Sequence, residues 1–139
     1  MSFEIWSRPI DCPSLRRRLV HSRTGAVVEF TGVVRDHQGG QAVQSLEYSA
    51  HEGLAVKEGE RILAEVRERF GLELVVAVHR VGHLQVGDLA VWVGVASAHR
   101  GAAFAACRLA IDEIKERVPI WKKEHYEGAP ASWVENASG

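Results

Sequence analysis

Two stretches near the middle of the chain, "LELVVAVHRVG" and "DLAVWVGVASA", are so continuously apolar and β-branched that they predict buried strands, with the polar "HLQVGD" between them turning the chain back as a hairpin loop. "TGAVVEFTGVVR", Thr24 to Arg35, predicts another mostly buried strand, and "AVQSLEYSAH" alternates like a strand with one solvent face. The glycine loop "DHQGGQ" separates these two, which suggests pairing as a long hairpin. Helical spacing appears in three places. "DCPSLRRRLVHS" offers a capping residue, a proline near the helix start and Leu15, Leu19 and Val20 on one side. From Leu54 to Phe70 the apolar positions Ala55, Ile62, Leu63, Val66 and Phe70 share a face, weakened only by Gly59. The stripe Ala103, Cys107, Ala110, Ile111, Ile114 and Val118 predicts a final helix that stops before Pro119. The order α-β-β-α-β-β-α with an irregular tail predicts a single α+β domain over residues 1–139, with a mixed or antiparallel sheet and helices packed on it.

Composition narrows the partners. The chain has 139 residues, 46% hydrophobic and 25% charged, enough for one domain with a real core. A formal net charge of -1 argues against broad capture of nucleic acid or an anionic membrane, and for local cations aimed at something small. "MSFEIWSRPID" lacks the pattern of a secretory signal, and the longest strongly apolar run, Leu89 to Ala98, is about half of the roughly 20 residues that a spanning helix needs. A soluble, cytoplasmic protein is expected. The 2 cysteines, Cys12 and Cys107, have no CxxC spacing, and the 7 histidines show no HxH or HExxH, so neither a disulfide framework nor a metal site is predicted.

Cations gather at three points: Arg35 where a strand enters the glycine loop, His99 and Arg100 at the start of the last helix, and Lys115 with Lys122 and Lys123 around its end. Each has a plain structural reading. Arg35 fits a solvated strand end, Lys115 an i,i+3 partner of Asp112, Lys122 and Lys123 a solubilised turn around Trp121, and His99 a capped surface histidine. Cys107, on the apolar stripe, fits a packed thiol, and the tryptophans fit core or interface. The functional reading starts from polarity. Cations at a helix N-terminus, where free N–H groups already carry partial positive charge, are comfortable when an anion binds there. Arg100 and Lys115 are fifteen residues apart, about 22 Å along a straight helix at about 1.5 Å per residue. They cannot hold one small anion within a chain, but a two-fold dimer removes the conflict. The prediction is a shared pocket, with Arg35, Lys115 and Lys122 from one chain and His99 and Arg100 from its mate.

"FTGVVRDHQGG", "VHRVGHLQVGD", "VGVASAHRGAAFAACRLAIDEIKERVPIWKKE" and "SWVE" together resemble the large, catalytic subunit of molybdopterin synthase, from Gly25 to Glu135. The resemblance implies an α+β fold of the hammerhead type and no cofactor or metal. It implies an enzyme, a transferase of molybdenum cofactor biosynthesis, that moves two sulfur atoms onto cyclic pyranopterin monophosphate to make the molybdopterin dithiolene. The implied sulfur donor is a small ubiquitin-like subunit whose C-terminal Gly-Gly carries a thiocarboxylate. The implied assembly is a homodimer of catalytic subunits within a heterotetramer.

Carried over residue by residue, the resemblance assigns substrate binding to Val33, Val34, Arg35, His99, Arg100, Lys115, Lys122, Lys123 and Glu124, and the lining of the pocket to Phe30. It makes Lys115 and Lys122 the catalytic pair. Arg100 and Arg35 suit bidentate contacts to phosphate or pterin. Lys115, among cations and partly desolvated, suits a general base or an oxyanion stabiliser. Lys122 suits neutralisation of the donor's carboxylate, and His99 a proton shuttle. His37, in the glycine loop, is expected to be merely exposed, and that loop to be mobile without substrate. Family members often carry a longer charged tail beyond the position of "SWVE". Read without the resemblance, the same cations describe a non-catalytic dimeric module that binds a small anion; a nucleic-acid module is disfavoured because no aromatics interleave with them.

Overall fold

The computed structural model describes residues 2–126 and 132–135; the tail beyond Glu135 lies outside them. The elements are β1 (Phe3–Trp6), α1 (Cys12–Arg17), β2 (Ala26–Val33), β3 (His37–Gln38), β4 (Gln41–Ala50), α2 (Glu52–Phe70), β5 (Leu74–Arg80), β6 (Gly82–Gln85), β7 (Leu89–Ser97), α3 (Arg100–Arg117), β8 (Ile120–Tyr126) and β9 (Ser132–Glu135). They form a mixed α+β architecture of two sheets and three helices. No helix among the described residues is long and apolar enough to cross a membrane.

The first sheet has the order β1-β5-β7-β2, parallel between β1 and β5 and antiparallel elsewhere. β5 and β7 are buried along nearly their whole length, as their unbroken apolar runs require. α2 and α3 pack against each other, α3 also on β2 and β7 and α2 on β1 and β5. α1 contributes Leu15, and Leu19 just beyond it, to a separate cluster around the fully buried Trp92. Gly59, which weakens α2 by propensity, has a packing reason. A Cβ at that position would sit 2.2 Å from Cγ of Phe3, so only glycine lets β1 lie against the helix.

The second sheet has the order β3-β4-β8-β9, with β6 also paired to β4. Here the pairing differs from expectation. β2 and β4 do not form a hairpin: β2 pairs with β7, and β4 with β8 and β6, so the two strands belong to different sheets. The tight hairpin of the glycine loop is β3 with β4, closed by Gly39 and Gly40 at φ 56° and 81°, the left-handed geometry that a two-residue turn demands. Part of the predicted hairpin loop "HLQVGD" is strand β6. The expected irregular tail is β8 and β9, and Lys122 lies on a strand, beyond the helix end. β1 was not predicted from the sequence, since four residues are too short for a pattern.

Candidate active site

A cavity of about 340 Å³ opens where β2 runs out, β4 and β8 pair, and α3 ends. Its charged lining comes from Arg35 after β2, Lys115 in the last turn of α3, and Lys122 and Glu124 on β8. Phe30, Val33 and Val34 complete the wall on the β2 side. Val34 is fixed by two backbone hydrogen bonds: its N–H donates to the Asp88 carbonyl at 2.9 Å, and its carbonyl accepts from the Gly87 N–H at 2.9 Å. Arg35 therefore starts from an anchored residue, at the point where β2 leaves its sheet.

On β8, successive side chains point to opposite faces. Lys122 and Glu124 share the buried face, opposite Tyr48 and Leu46 of β4 in the ladder. The Lys122 ammonium lies 3.3 Å from the Glu124 carboxylate. Lys115, half-buried, is held below the ordinary lysine range, first by burial and then by the positive charges of Lys122 and Arg35. Its cationic neighbours therefore act on it electrically, as the sequence suggested. The expected Asp112 partner is engaged elsewhere: Asp112 accepts from Arg108 Nε at 3.1 Å.

The lining residues not singled out from the sequence include two with polar rings, Tyr48 and His79. Their rings meet edge to face with centroids 5.0 Å apart. His79 is fully buried and its Nδ1 hydrogen bonds to the Arg80 carbonyl at 2.8 Å, which needs the proton on that nitrogen. Burial, and more weakly Lys115, lowers its pKa to about 4, so it is neutral at pH 7. Burial, with the Glu124 charge, pushes Tyr48 up to about 12. The only available signal was the buried parity of "SLEYSA" and "VAVHR", which marks core positions without distinguishing a pocket wall from packed interior.

His99 and Arg100 do not line this cavity. Both are exposed at the N-terminus of α3, where His99 is the cap residue without a capping side-chain bond. Lys123 also points away, with its ammonium 5.7 Å from the centre of the Trp133 ring. His37 is exposed, as expected, yet it borders the cavity and pairs with Asp36 at 2.8 Å. Cys107 is packed, and burial pushes its thiol up to about 11, which leaves no reactive thiolate at pH 7. The cavity is thus a receptor in which three cations outnumber one carboxylate, suited to a small anion.

A protein-family model described as MoaE protein matches residues 5–117, most of the chain. The chain belongs to the MoaE protein family. MoaE-family relatives include the molybdopterin synthase catalytic subunit of Staphylococcus epidermidis, 44% identical over 99% of this chain and 91% of its own, and that of a Nostoc species, 42% identical over 96% and 81%. Among solved structures, the X-ray crystal structure of molybdopterin synthase from Staphylococcus aureus superposes with a TM-score of 0.91 at 40% identity, covering 96% of this chain and 97% of that one. A complex of subunits 1 and 2 of molybdopterin-converting factor from Helicobacter pylori shares the fold, with a TM-score of 0.77 at 20% identity over 93% of this chain and 88% of that one. Membership in the MoaE family makes the chain a sulfur-transferring enzyme subunit of molybdenum cofactor biosynthesis, and the reading as a non-catalytic anion-binding module gives way.

Proposed function

We propose that the chain takes sulfur from the thiocarboxylated Gly-Gly end of a small ubiquitin-like subunit and places two sulfur atoms on cyclic pyranopterin monophosphate in this cavity. The observation that carries the proposal is the convergence of Arg35, Lys115 and Lys122 on one site of suitable size, with Lys115 held below the ordinary lysine range. In each transfer the thiocarboxylate sulfur bonds to a side-chain carbon of the pterin as a carbon–oxygen bond at that carbon breaks, releasing an oxygen of the cyclic phosphate in one transfer and water in the other. Water then attacks the acyl carbon, the carbon–sulfur bond to the donor breaks, and the donor leaves with an ordinary carboxylate. Lys115, whose deprotonated form is favoured by burial and by the charges of Lys122 and Arg35, takes the proton from that water and, once protonated, faces the oxyanion that forms. Lys122 balances the carboxylate left on the donor, and its contact with Glu124 fixes its position. Arg35 grips the phosphate, Phe30, Val33 and Val34 bound the pterin, and Lys123 and Glu124 continue the binding strand.

His99 and Arg100 reach the same substrate from a second copy of the chain. Two features support this. α3 runs unbroken from Arg100 to Arg117, so the roughly 22 Å between its first residue and Lys115 is real for a helix rising about 1.5 Å per residue. Beside the cavity, between β2 and α3, an apolar groove exposes 62% of Phe104 and shares Phe30 and Lys115 with the cavity, as a self-complementary face would. The assembly is then a homodimer of catalytic subunits with a small subunit at each end, working in the cytoplasm. The test is reconstitution with thiocarboxylated small subunit and cyclic substrate. Wild type should form the dithiolene product, and Lys115→Ala should lose turnover while retaining its fold and its complex with the small subunit. A fully active Lys115→Ala variant would remove the lysine from the chemistry.

A further inference from the structure

We propose that Glu47, His83 and His125 form a divalent transition-metal site, with zinc as the expected ion, on the opposite face of the second sheet from the cavity. The three residues come from three adjacent strands. Glu47 on β4 stands directly opposite His83 of β6 and diagonally from His125 of β8, whose ladder partner is Ser45. One ligand atom from each lies within 4.8 Å of the others. The Glu47 Oε1 is 3.9 Å from Nδ1 of His83 and 3.5 Å from Nε2 of His125. A tetrahedral ion with bonds of about 2.1 Å sets its ligand atoms about 3.4 Å apart, so closure needs only small side-chain rotations.

The chemistry of the donor set narrows the ion. Two imidazoles and one carboxylate suit zinc or a similar first-row metal and are a poor set for calcium or magnesium, which prefer oxygen alone. A second observation points to a missing ligand. His125 Nε2 is sealed from solvent and makes no hydrogen bond among the described residues, although it faces the carboxylate. Buried ring nitrogens are normally satisfied, and a bound cation between Nε2 and Oε1 would satisfy both. His83 is exposed, which leaves an entry path and a fourth position for water. The sequence shows no HxH or HExxH because the ligands are brought together by strand pairing over a separation of 78 residues between Glu47 and His125.

The location assigns a purpose. Lys123 and His125 share the outer face of β8, while Lys122 and Glu124 share the inner, cavity face. An ion tying His125 to Glu47 and His83 clamps β6, β4 and β8 together behind the strand that carries Lys122, without entering the cavity. It is a structural site, independent of the sulfur-transfer proposal.

The experiment uses tag-free full-length protein stripped with chelator and titrated with Co²⁺ and then Zn²⁺. Wild type should bind one Co²⁺ per chain with the visible absorption of a four-coordinate nitrogen and oxygen site, and Zn²⁺ should displace it. Glu47→Gln should weaken binding by about tenfold or more, and His83→Gln/His125→Gln should abolish the absorption. Circular dichroism checks that the variants fold, and Zn²⁺ should raise the melting temperature of wild type but not of the double variant. Absence of a 1:1 complex in wild type would overturn the site. So would a double variant that binds as tightly as wild type, since the other histidines would then be the ligands.

Discussion

The Lys122 ammonium and the Glu124 carboxylate lie 3.3 Å apart with only 8% and 7% of their side chains exposed, two residues apart on one face of β8. A buried pair of this kind repays its desolvation only while both partners are present. Glu124→Gln is therefore predicted to strand a buried ammonium and to cost about 3–5 kcal/mol. Denaturant unfolding checks the value. Lys122→Met/Glu124→Leu should recover most of the stability while leaving the cavity without its inner cation. A Glu124→Gln variant as stable as wild type would show the pair to be dispensable.

Gly59 gives a prediction of unusual sign. Glycine to alanine inside a helix ordinarily gains about 1 kcal/mol. Here the new Cβ would meet the ring of Phe3 at 2.2 Å, so Gly59→Ala should instead destabilise by about 1–3 kcal/mol as β1 is pushed from α2. Phe3→Ala in the same background should relieve the clash and bring the two substitutions below additivity.

His79 sets a pH dependence. Its folded pKa of about 4 lies below the ordinary value of 6.5 for an exposed imidazole. Above pH 6.5 both states are neutral and the residue contributes no slope. As pH falls from 6.5 toward 4 the unfolded chain takes up a proton that the folded chain refuses, so stability declines, by up to about 3 kcal/mol at about 1.4 kcal/mol per pH unit, and levels off below pH 4. Unfolding free energies measured across this window should fall in wild type and flatten in His79→Leu. Equal slopes in the two proteins would remove His79 as the cause.

Lys115 is lowered in part by Arg35, which is exposed and can be changed without opening the core. In Arg35→Gln the pH at which Lys115 becomes reactive toward an amine acylating reagent should move upward, by less than the burial effect. Residue-resolved mass spectrometry across a pH series reads this shift. Disruption of the site would instead expose Lys115 and move it fully to the ordinary lysine value, and no movement would show that Arg35 does not act on it.

What was legible in the sequence was local. The runs that became β5 and β7 and the stripe of α3 are strong because burial on both faces, or on one helical face, leaves a repeating signature over many residues. Pairing partners were not legible. β2 and β4 are neighbours in sequence with a turn between them, yet the apolar partner able to cover β2 is β7, more than fifty residues on. Lys122 read as part of a turn around Trp121 because Pro119 marks only where α3 stops, and the short alternation of "IWKKEHY" is masked by its charges. Tyr48 and His79 escaped notice because a wall of the cavity and a core position look alike in sequence. The cations that define the site were visible, but their convergence depends on a β4–β8 pairing that local pattern does not reveal.

The central claim is that one active pocket draws Lys115 from one chain and Arg100 from another. Lys115→Ala and Arg100→Ala, each inactive as a homodimer, should be combined into a purified mixed dimer and assayed with thiocarboxylated small subunit and cyclic substrate. In the mixed dimer one pocket carries both substitutions and the other carries neither, so the predicted activity is about half that of wild type. An inactive mixed dimer, with its composition verified, would place both residues in the pocket of a single chain and contradict the shared site.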